Sequence, residues 1–434
     1  MQQITKRMVF LLALLLVFTL TACSTEPISD KTSSSSAEDS LSEESSDIGS
    51  KEDGKITIMS VDTTLENWQA YIEQAEEKTG LDIETVATPT NTDDRHAKIT
   101  TMLSSGDTSV DIFTVNGEMI VPFKSAGFLQ PLQDTVMTST VAAAFPQDYL
   151  ATECTQDGDI IAVPMYIDIL HFWIDQRVLD EIGMESPTTK EEFLEFVSKA
   201  TNGSERYGYG GAWEKTYVFN EIATFVGLFG GDYYDWTNEK TVAGVKFLHD
   251  LAADGYTPLA QMADIYEPMM QKMIDGTYAS MFMYTGGFNI MKDSGEWEDD
   301  KIHIAPPPSF DGNDPVALLS CWNWVVGKSS ENKEAAYKFL QYAASEEGQT
   351  DYAQMSNRIC ANMNVINDPN FVADGIEETR YYMENVKLLA RPIVPQATEF
   401  ISEMGSLFQQ YMSDEITLEE FCAAAQKSCD TYHK

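Results

Sequence analysis

The 434-residue sequence predicts an α/β protein built as two lobes. Three observations carry that reading. The chain is too long for one ordinary hydrophobic core. Segments with the marks of strands alternate with segments of helical periodicity, the pattern of parallel βαβ units whose sheet is covered on both faces. Finally, the run Val163–Leu179, VPMYIDILHFWIDQRVL, is apolar almost throughout, yet it carries Asp168 in its middle and His171 shortly after. So apolar a run reads as a buried strand. A carboxylate inside it costs free energy unless it is paired or hydrogen-bonded. Asp168 therefore has a buried partner or faces a polar cleft.

Taken in order, Ile56–Val61 reads as a first strand, Asp62–Glu66 as a polar loop, and Trp68–Thr79 as a helix ended by Gly80. LDIETVAT gives a second strand, Arg95–Ser105 a helix, and Val110–Asn116 a third strand. Phe123–Leu132 reads as a short helix and turn, and Asp157-Gly158-Asp159 as a turn feeding the long apolar run. Thr189-Lys190-Glu191-Glu192 is a capping box opening a helix. Gly203–Trp236 is rich in glycine and aromatics, and helices follow at Thr241–Ala253 and Tyr266–Ile274. YASMFMYTGGFNI reads as a buried strand breaking at Gly286-Gly287 into a helix. His303–Phe310 and Leu318–Lys328 read as strands, and Ala336, Phe339, Leu340 and Ala343 as the face of a helix interrupted near Ser345. The tail is expected to be helical, with a second capping box at Thr417–Glu420, and no internal repeat is present.

The hydrophobic fraction of 43% is that of a globular protein, and the net charge of −41 argues against nucleic-acid binding, which needs a basic patch to neutralise phosphates. Residues 1–22 read as a signal peptide: Lys6 and Arg7 form its positive start and Met8–Leu20 an apolar stretch too short to span a bilayer. It ends in Leu20-Thr21-Ala22-Cys23, which resembles the bacterial lipobox, where cleavage leaves a lipid on the cysteine. Residues 23–53 are a Ser/acidic tether too poor in apolar residues to fold. With Cys23 set aside, five cysteines remain (Cys154, Cys321, Cys360, Cys422, Cys429), an odd number that makes no disulfide framework. Cys422 and Cys429 share an apolar helix face and read as core. No Cys/His cluster has zinc-site spacing, and no metal or cofactor is expected.

Several stretches together resemble the family 1 extracellular solute-binding proteins, the sugar-binding lipoproteins of ABC importers. They are LENWQAYIEQAEEKTGLDIE, VDIFTVNGEMIVPFKSAGFLQPL, VPMYIDILHFWIDQRVLDEIGMESPTTKEEFLEF, MIDGTYASMFMYTGGFNI and WNWVVGKSSENKEAAYKFLQYAASEEGQ, in the family's order. The resemblance implies a two-lobe periplasmic-binding-protein-like (type II) fold with an interlobe ligand cleft. Carried onto this chain, lobe one is expected at 55–168 plus 302–345 and lobe two at 169–301 plus 346–434. The apolar run then becomes a crossing between lobes, with Asp168 on the cleft floor.

A sugar presents hydroxyls and C–H faces, so its site mixes aromatics with carboxylates, amides and guanidinium groups. In α/β folds ligands bind beyond the carboxyl ends of strands, which points to Glu66 and Asn67 and to Asn116 and Glu118. Asp168 matches the position where maltose-binding relatives place an acid, and Tyr166 shares its strand face. The turn Tyr284–Phe288 matches a Gly-Trp position of the family, with Phe288 in place of the tryptophan as stacking ring, Tyr284 beside it and Gly287 allowing close backbone approach. Trp322 is expected to face the cleft. Trp213 sits in a glycine-rich loop. Asn220 and Glu221 lie at a helix start that borders the cleft in relatives. Arg358 and Arg391 are candidates for hydroxyl or carboxylate recognition, Arg391 in the ARPIVP stretch that relatives place near ligand. His171 reads as a packed histidine.

The expected function is an extracellular carbohydrate (oligosaccharide)-binding protein that closes on its ligand and delivers it to the transmembrane subunits of an ABC permease. It would be a non-enzymatic monomer, lipid-anchored through Cys23 on the outer face of the cell membrane of a Gram-positive-like bacterium. Two alternatives stay open: an extracellular carbohydrate-active enzyme using two carboxylates, and a sensor presenting bound ligand to a membrane receptor.

Overall fold

The computed structural model describes residues 54–89 and 92–433. The signal peptide, Cys23 and the whole tether lie outside the described residues. In chain order the strands are β1 (Lys55–Ser60), β2 (Asp82–Ala87), β3 (Ile112–Val115), β4 (Thr155–Gln156), β5 (Asp159–Ile160), β6 (Val163–Asp175), β7 (Ser280–Tyr284), β8 (Ile302–Ala305), β9 (Val316–Val326) and β10 (Lys387–Ala390). β4 and β5 form a hairpin whose two-residue turn needs positive φ, supplied by Asp157 (52°) and Gly158 (93°). The others join in the order β2-β1-β3-β9-β6-β7, with β10 on β9 and β8 on β6. β1 pairs parallel with β2 and β3, as the strand–helix alternation implies. β9 returns antiparallel to β3.

β6 organises this arrangement. From Val163 to Ile169 it pairs antiparallel with β9. From Leu170 to Asp175 it lies between β7 and β8 instead. One strand thus belongs to two sheets in succession, which is why its residues are buried on both sides and its sequence shows no alternation. Asp175 ends it by capping the helix Gln176–Ile182, accepting from the Arg177 N–H at 2.9 Å. β9 is shared in the same way: its first residues pair with β10 and the rest with β6 and β3.

The helices Trp68–Thr79 and Tyr266–Ile274 fall on the expected residues, and Gly80 closes the first at φ 65°. Both capping boxes form, Thr189 with Glu192 and Thr417 with Glu420. Three expectations change. The helix placed at Phe123–Leu132 runs instead over Gly117–Ser125, because the apolar set Met119, Ile120 and Phe123 outweighs the Pro122 inside it. The strand expected through Phe310 stops at Ala305, where three consecutive prolines lack the N–H that pairing needs. The tail is not wholly helical: Lys387–Ala390 is β10, short and without β-branched residues, so it carries no strand signal.

Two sets of contacts bear on the lobe boundaries expected at 302 and 346. β8 pairs with the second half of β6, so Ile302–Ala305 sits in the β7 sheet. The helix Glu346–Ser356 packs on Trp68–Thr79 through the Tyr71–Tyr352 ring pair (5.7 Å) and the Lys78–Glu347 ion pair (2.5 Å), which puts it with the first sheet. Cys154, Cys321, Cys360, Cys422 and Cys429 are free thiols, buried except for the half-buried Cys422. Among the described residues no helix is long and apolar enough to cross a membrane.

The helix Ala397–Met412 is held close to the loop before Phe219, with Gln409 Nε2 donating to the carbonyls of Trp213 (2.9 Å) and Met262 (3.0 Å). Gly405 makes this approach possible: a Cβ there would overlap the backbone carbonyl of Lys215. Gly405→Ala is expected to destabilise the protein by about 1–3 kcal/mol in urea unfolding, since backbone cannot yield as a side chain would.

Candidate functional site

At the changeover along β6 the two sheets leave a cleft of about 470 Å³, within the usual range for small-molecule sites. Asp168, Ser320 and Trp322 form its floor. One wall carries Arg95, His96, Asn116 and Glu118, and the other carries Thr216, Tyr217, Phe219, Asn220, Tyr266 and Tyr284. Arg391 and the start of helix Ala397–Met412 close one end.

The floor has a built support. Trp322 lies parallel to Tyr166 (6.2 Å between centroids, 16°), and Tyr166 in turn lies on Tyr352 (6.1 Å, 11°). The Arg358 guanidinium sits 4.4 Å from the Tyr166 ring centre and pairs with Asp62 at 3.3 Å. Asp62 also accepts from the Tyr352 hydroxyl at 2.6 Å. From the cleft side Arg95 lies over Trp322 at 5.5 Å.

The polar groups are held in orientation. Tyr284 Oη donates to Asn220 Oδ1 at 2.9 Å, and Asn220 Nδ2 donates to Tyr266 Oη at 2.9 Å. The tyrosine rings meet edge-on, Tyr217 with Tyr266 at 4.9 Å and Tyr266 with Tyr284 at 5.8 Å. Glu118 is gripped by Arg391 Nη2 and Asn116 Nδ2. Burial alone would raise the Glu118 carboxyl, but Arg391, His96 and Asn116 together hold it below the usual carboxylate range. Asp168 is the opposite case. It accepts one N–H, from Gly286 at 3.3 Å, and burial pushes it up to about 6 despite the nearby Arg358.

Asn116, Glu118, Asp168, Asn220, Tyr284, Trp322 and Arg391 are thus brought together as the sequence suggested. The other candidates are not. Glu66 and Asn67 are exposed before helix Trp68–Thr79, because a short 3-10 turn, Val61–Thr64, intervenes after β1 and carries them off the strand end. Tyr166 and Arg358 lie behind Trp322 rather than in the cleft. Trp213 is fully buried against Phe408 (5.2 Å, 88°). Glu221 turns inward from Asn220 by one helical residue and takes the Tyr209 hydroxyl; burial pushes it up to about 7. Phe288 is no stacking platform: it is buried between His171, Trp173 and Trp297, and Gly287 is buried against Met283 and Trp173. His171 is packed as expected, its pKa lowered to about 3 by burial. Arg95, His96, Tyr217, Phe219, Tyr266 and Ser320 escaped the sequence reading. Only Tyr217 and Tyr266 carried a signal, as aromatics at the edge of a glycine-rich loop and at a helix start.

The family profile described as bacterial extracellular solute-binding protein matches residues 70–378. The chain belongs to that family. A Deinococcus radiodurans protein described as "Probable ABC transporter-binding protein" is 23% identical over 285 residues, 63% of this chain and 67% of that one. Among solved structures, a Thermotoga lettingae ABC transporter solute-binding protein bound with α-D-tagatose superposes with a TM-score of 0.75 at 21% identity, covering 87% of this chain and 99% of that one. MalE3 of T. maritima with maltose gives 0.72, again at 21% identity, covering 87% of this chain and 99% of that one. These likenesses establish the two-lobe α/β fold.

Asp168 makes stability depend on pH. Its folded pKa of about 6 lies above the ordinary 3.8, so the folded state holds the proton more tightly. Its contribution to stability is present at low pH and is lost as pH rises through that window. Asp168→Asn is therefore expected to melt higher than the parent at pH 7 by the equivalent of at most about 3 kcal/mol, with the two converging below about pH 4. Thermal melts across pH check this.

Proposed function

We propose that the chain binds a carbohydrate between its two lobes and hands it to the transmembrane subunits of an ABC permease. One observation carries the reading: at the strand crossing, a flat aromatic floor (Trp322) lies beside a carboxyl (Asp168), walled by oriented tyrosines and amides. An aromatic face suits sugar C–H groups, and the fixed acceptors and donors suit hydroxyls. The tagatose and maltose carried by the two structural neighbours, and the transporter role named for the D. radiodurans relative, support it.

The strand pairings suggest a first lobe of 55–169 plus 320–366 and a second of 170–305 plus 376–433, with Val316–Leu319 of β9 crossing over to pair with β10. The ligand would touch both walls only when they meet, so its binding energy favours the closed form. We further propose that the chain acts as a monomer held on the outer membrane face through lipidated Cys23, with 1–22 removed and 23–53 as tether. The lipobox-like end of the leader supports this.

A second reading, a glycoside-cleaving enzyme, draws on the two cleft carboxyls, one held low and one near 6. Both oxygens of Glu118 are engaged by Arg391 and Asn116, however, which leaves neither free to attack. Turnover of a p-nitrophenyl glycoside would establish it.

Isothermal titration calorimetry against mono-, di- and trisaccharides is expected to find a ligand in the micromolar range. Trp322→Ala should weaken it by roughly 30-fold or more, as for a buried aromatic anchor. If no sugar binds, the carbohydrate reading fails. Separately, Cys23→Ser is expected to abolish incorporation of labelled palmitate in a bacterial host. Incorporation unchanged by that substitution would rule the anchor out.

A further inference from the structure

A second cavity of about 530 Å³ lies next to the cleft, beyond Arg391, which borders both. The same elements wall the two. β9 gives Ser320 and Trp322 to the cleft and Leu318 to the crevice, and helix Phe219–Leu228 gives Asn220 to the first and Val226 to the second. Nothing proposed for the cleft uses this crevice.

Its polar end is built around Glu153. That side chain is only 7% exposed, and its buried Oε2 has no hydrogen-bond partner among the described residues. A buried, unpartnered carboxylate is costly. The neighbouring cations do not serve it. Lys124 Nζ donates to the carbonyls of Thr152 (2.6 Å), Glu153 (3.3 Å) and Thr155 (3.4 Å), which uses its three N–H groups. Arg391 Nη2 goes to Glu118. The carboxylates of Glu153, Glu118 and Asp232 thus outnumber Lys124 and Arg391 by one charge. The rest of the lining offers an apolar bed, and at its edge Tyr234 stacks on His433 at 3.6 Å and 10°.

We propose that this crevice is a second ligand site, taking a small organic monocation with an apolar or aromatic body whose ammonium group is held by Glu153. The excess negative charge selects the cation, the Glu153 carboxylate that lines the crevice supplies a charge-assisted hydrogen bond, and the apolar bed and ring pair take the body. Burial pushes the Glu153 carboxyl up to about 6, against Lys124 and Arg391. The other titratable groups around it are Asp232, His433, Tyr149, Cys154, Tyr234 and Cys321; burial raises the pKa values of the last four, so those stay protonated through this window. Binding should therefore strengthen from pH 5 to pH 7 as Glu153 ionises.

The test titrates the folded chain with benzylamine, benzyl alcohol and benzoate, followed by saturation-transfer NMR. Benzylamine is expected to bind in the millimolar range at pH 7, about tenfold more tightly than the alcohol, with benzoate not binding. Glu153→Gln should weaken benzylamine about tenfold. Ala390→Trp, at an exposed position on the crevice rim, should block it, and melting curves of both variants verify that they fold. Equal binding of amine and alcohol, binding that survives Ala390→Trp, or indifference to Glu153→Gln would each overturn the proposal.

Discussion

The change of partner along β6 is the constraint on which the structure depends. A strand that leaves one sheet for another passes a point where neither sheet supplies a full set of partners, and its buried backbone groups must still be satisfied. Side chains and neighbouring loops do this. The Ile169 N–H donates to Thr285 Oγ1 at 2.9 Å, the Thr285 N–H returns to the Ile169 carbonyl at 3.1 Å, and the Ile167 N–H goes to the Ile359 carbonyl at 3.0 Å. Asp168 sits inside this patch and accepts the Gly286 N–H. A gap between sheets, polar by necessity and open on one side, is a cleft already supplied with hydrogen-bonding groups.

The aromatic layer under that gap explains why the floor is firm. Trp322, Tyr166 and Tyr352 lie in a nearly parallel stack, and Tyr352 meets Tyr71 edge-on in the core of the first sheet. The Asp62–Arg358 pair locks the stack from its far side and leaves a cation near Asp168. Arg358 therefore acts on the cleft without entering it: it sets the field that partly offsets the desolvation of Asp168. Such a support holds Trp322 in place before ligand arrives, which lowers the ordering entropy that binding must overcome.

The fold was largely legible because its signals are local. Capping boxes, Gly80 and the period of Trp68–Thr79 need no tertiary knowledge. β6 announced itself as an apolar run with one misplaced acid, and that anomaly led to the site. The side chains around it were harder to read. Asn220 and Glu221 are adjacent in sequence and equally polar, yet helical rotation sends one to the cleft and the other to Tyr209. Trp213 and Tyr217 share a loop, but Phe408 of a distant helix buries the first and leaves the second at the cleft. Phe288 stands where the resemblance expected a stacking ring, and His171, Trp173 and Trp297 enclose it instead. Ser320 carried no signal at all. Each of these depends on which distant element packs on which face, information that spacing along one segment does not hold.

The strap containing Arg391, Pro392 and Pro395 decides how far a ligand extends. β9 and the helices Gly117–Ser125 and Phe219–Leu228 run past the cleft into the crevice without interruption, so those elements alone would form one long groove. The Arg391–Glu118 pair bars it. A largely buried ion pair of this kind is broken only at high cost when one partner is left behind, and Arg391 also lies 5.4 Å from the Phe219 ring centre. A ligand entering the cleft therefore meets a charged wall on its inner side and can lengthen only outward. If the proposed ligand is a saccharide, that geometry favours a short one held by its end over a long one threaded through, and it leaves the space behind the strap to the molecule proposed for the crevice.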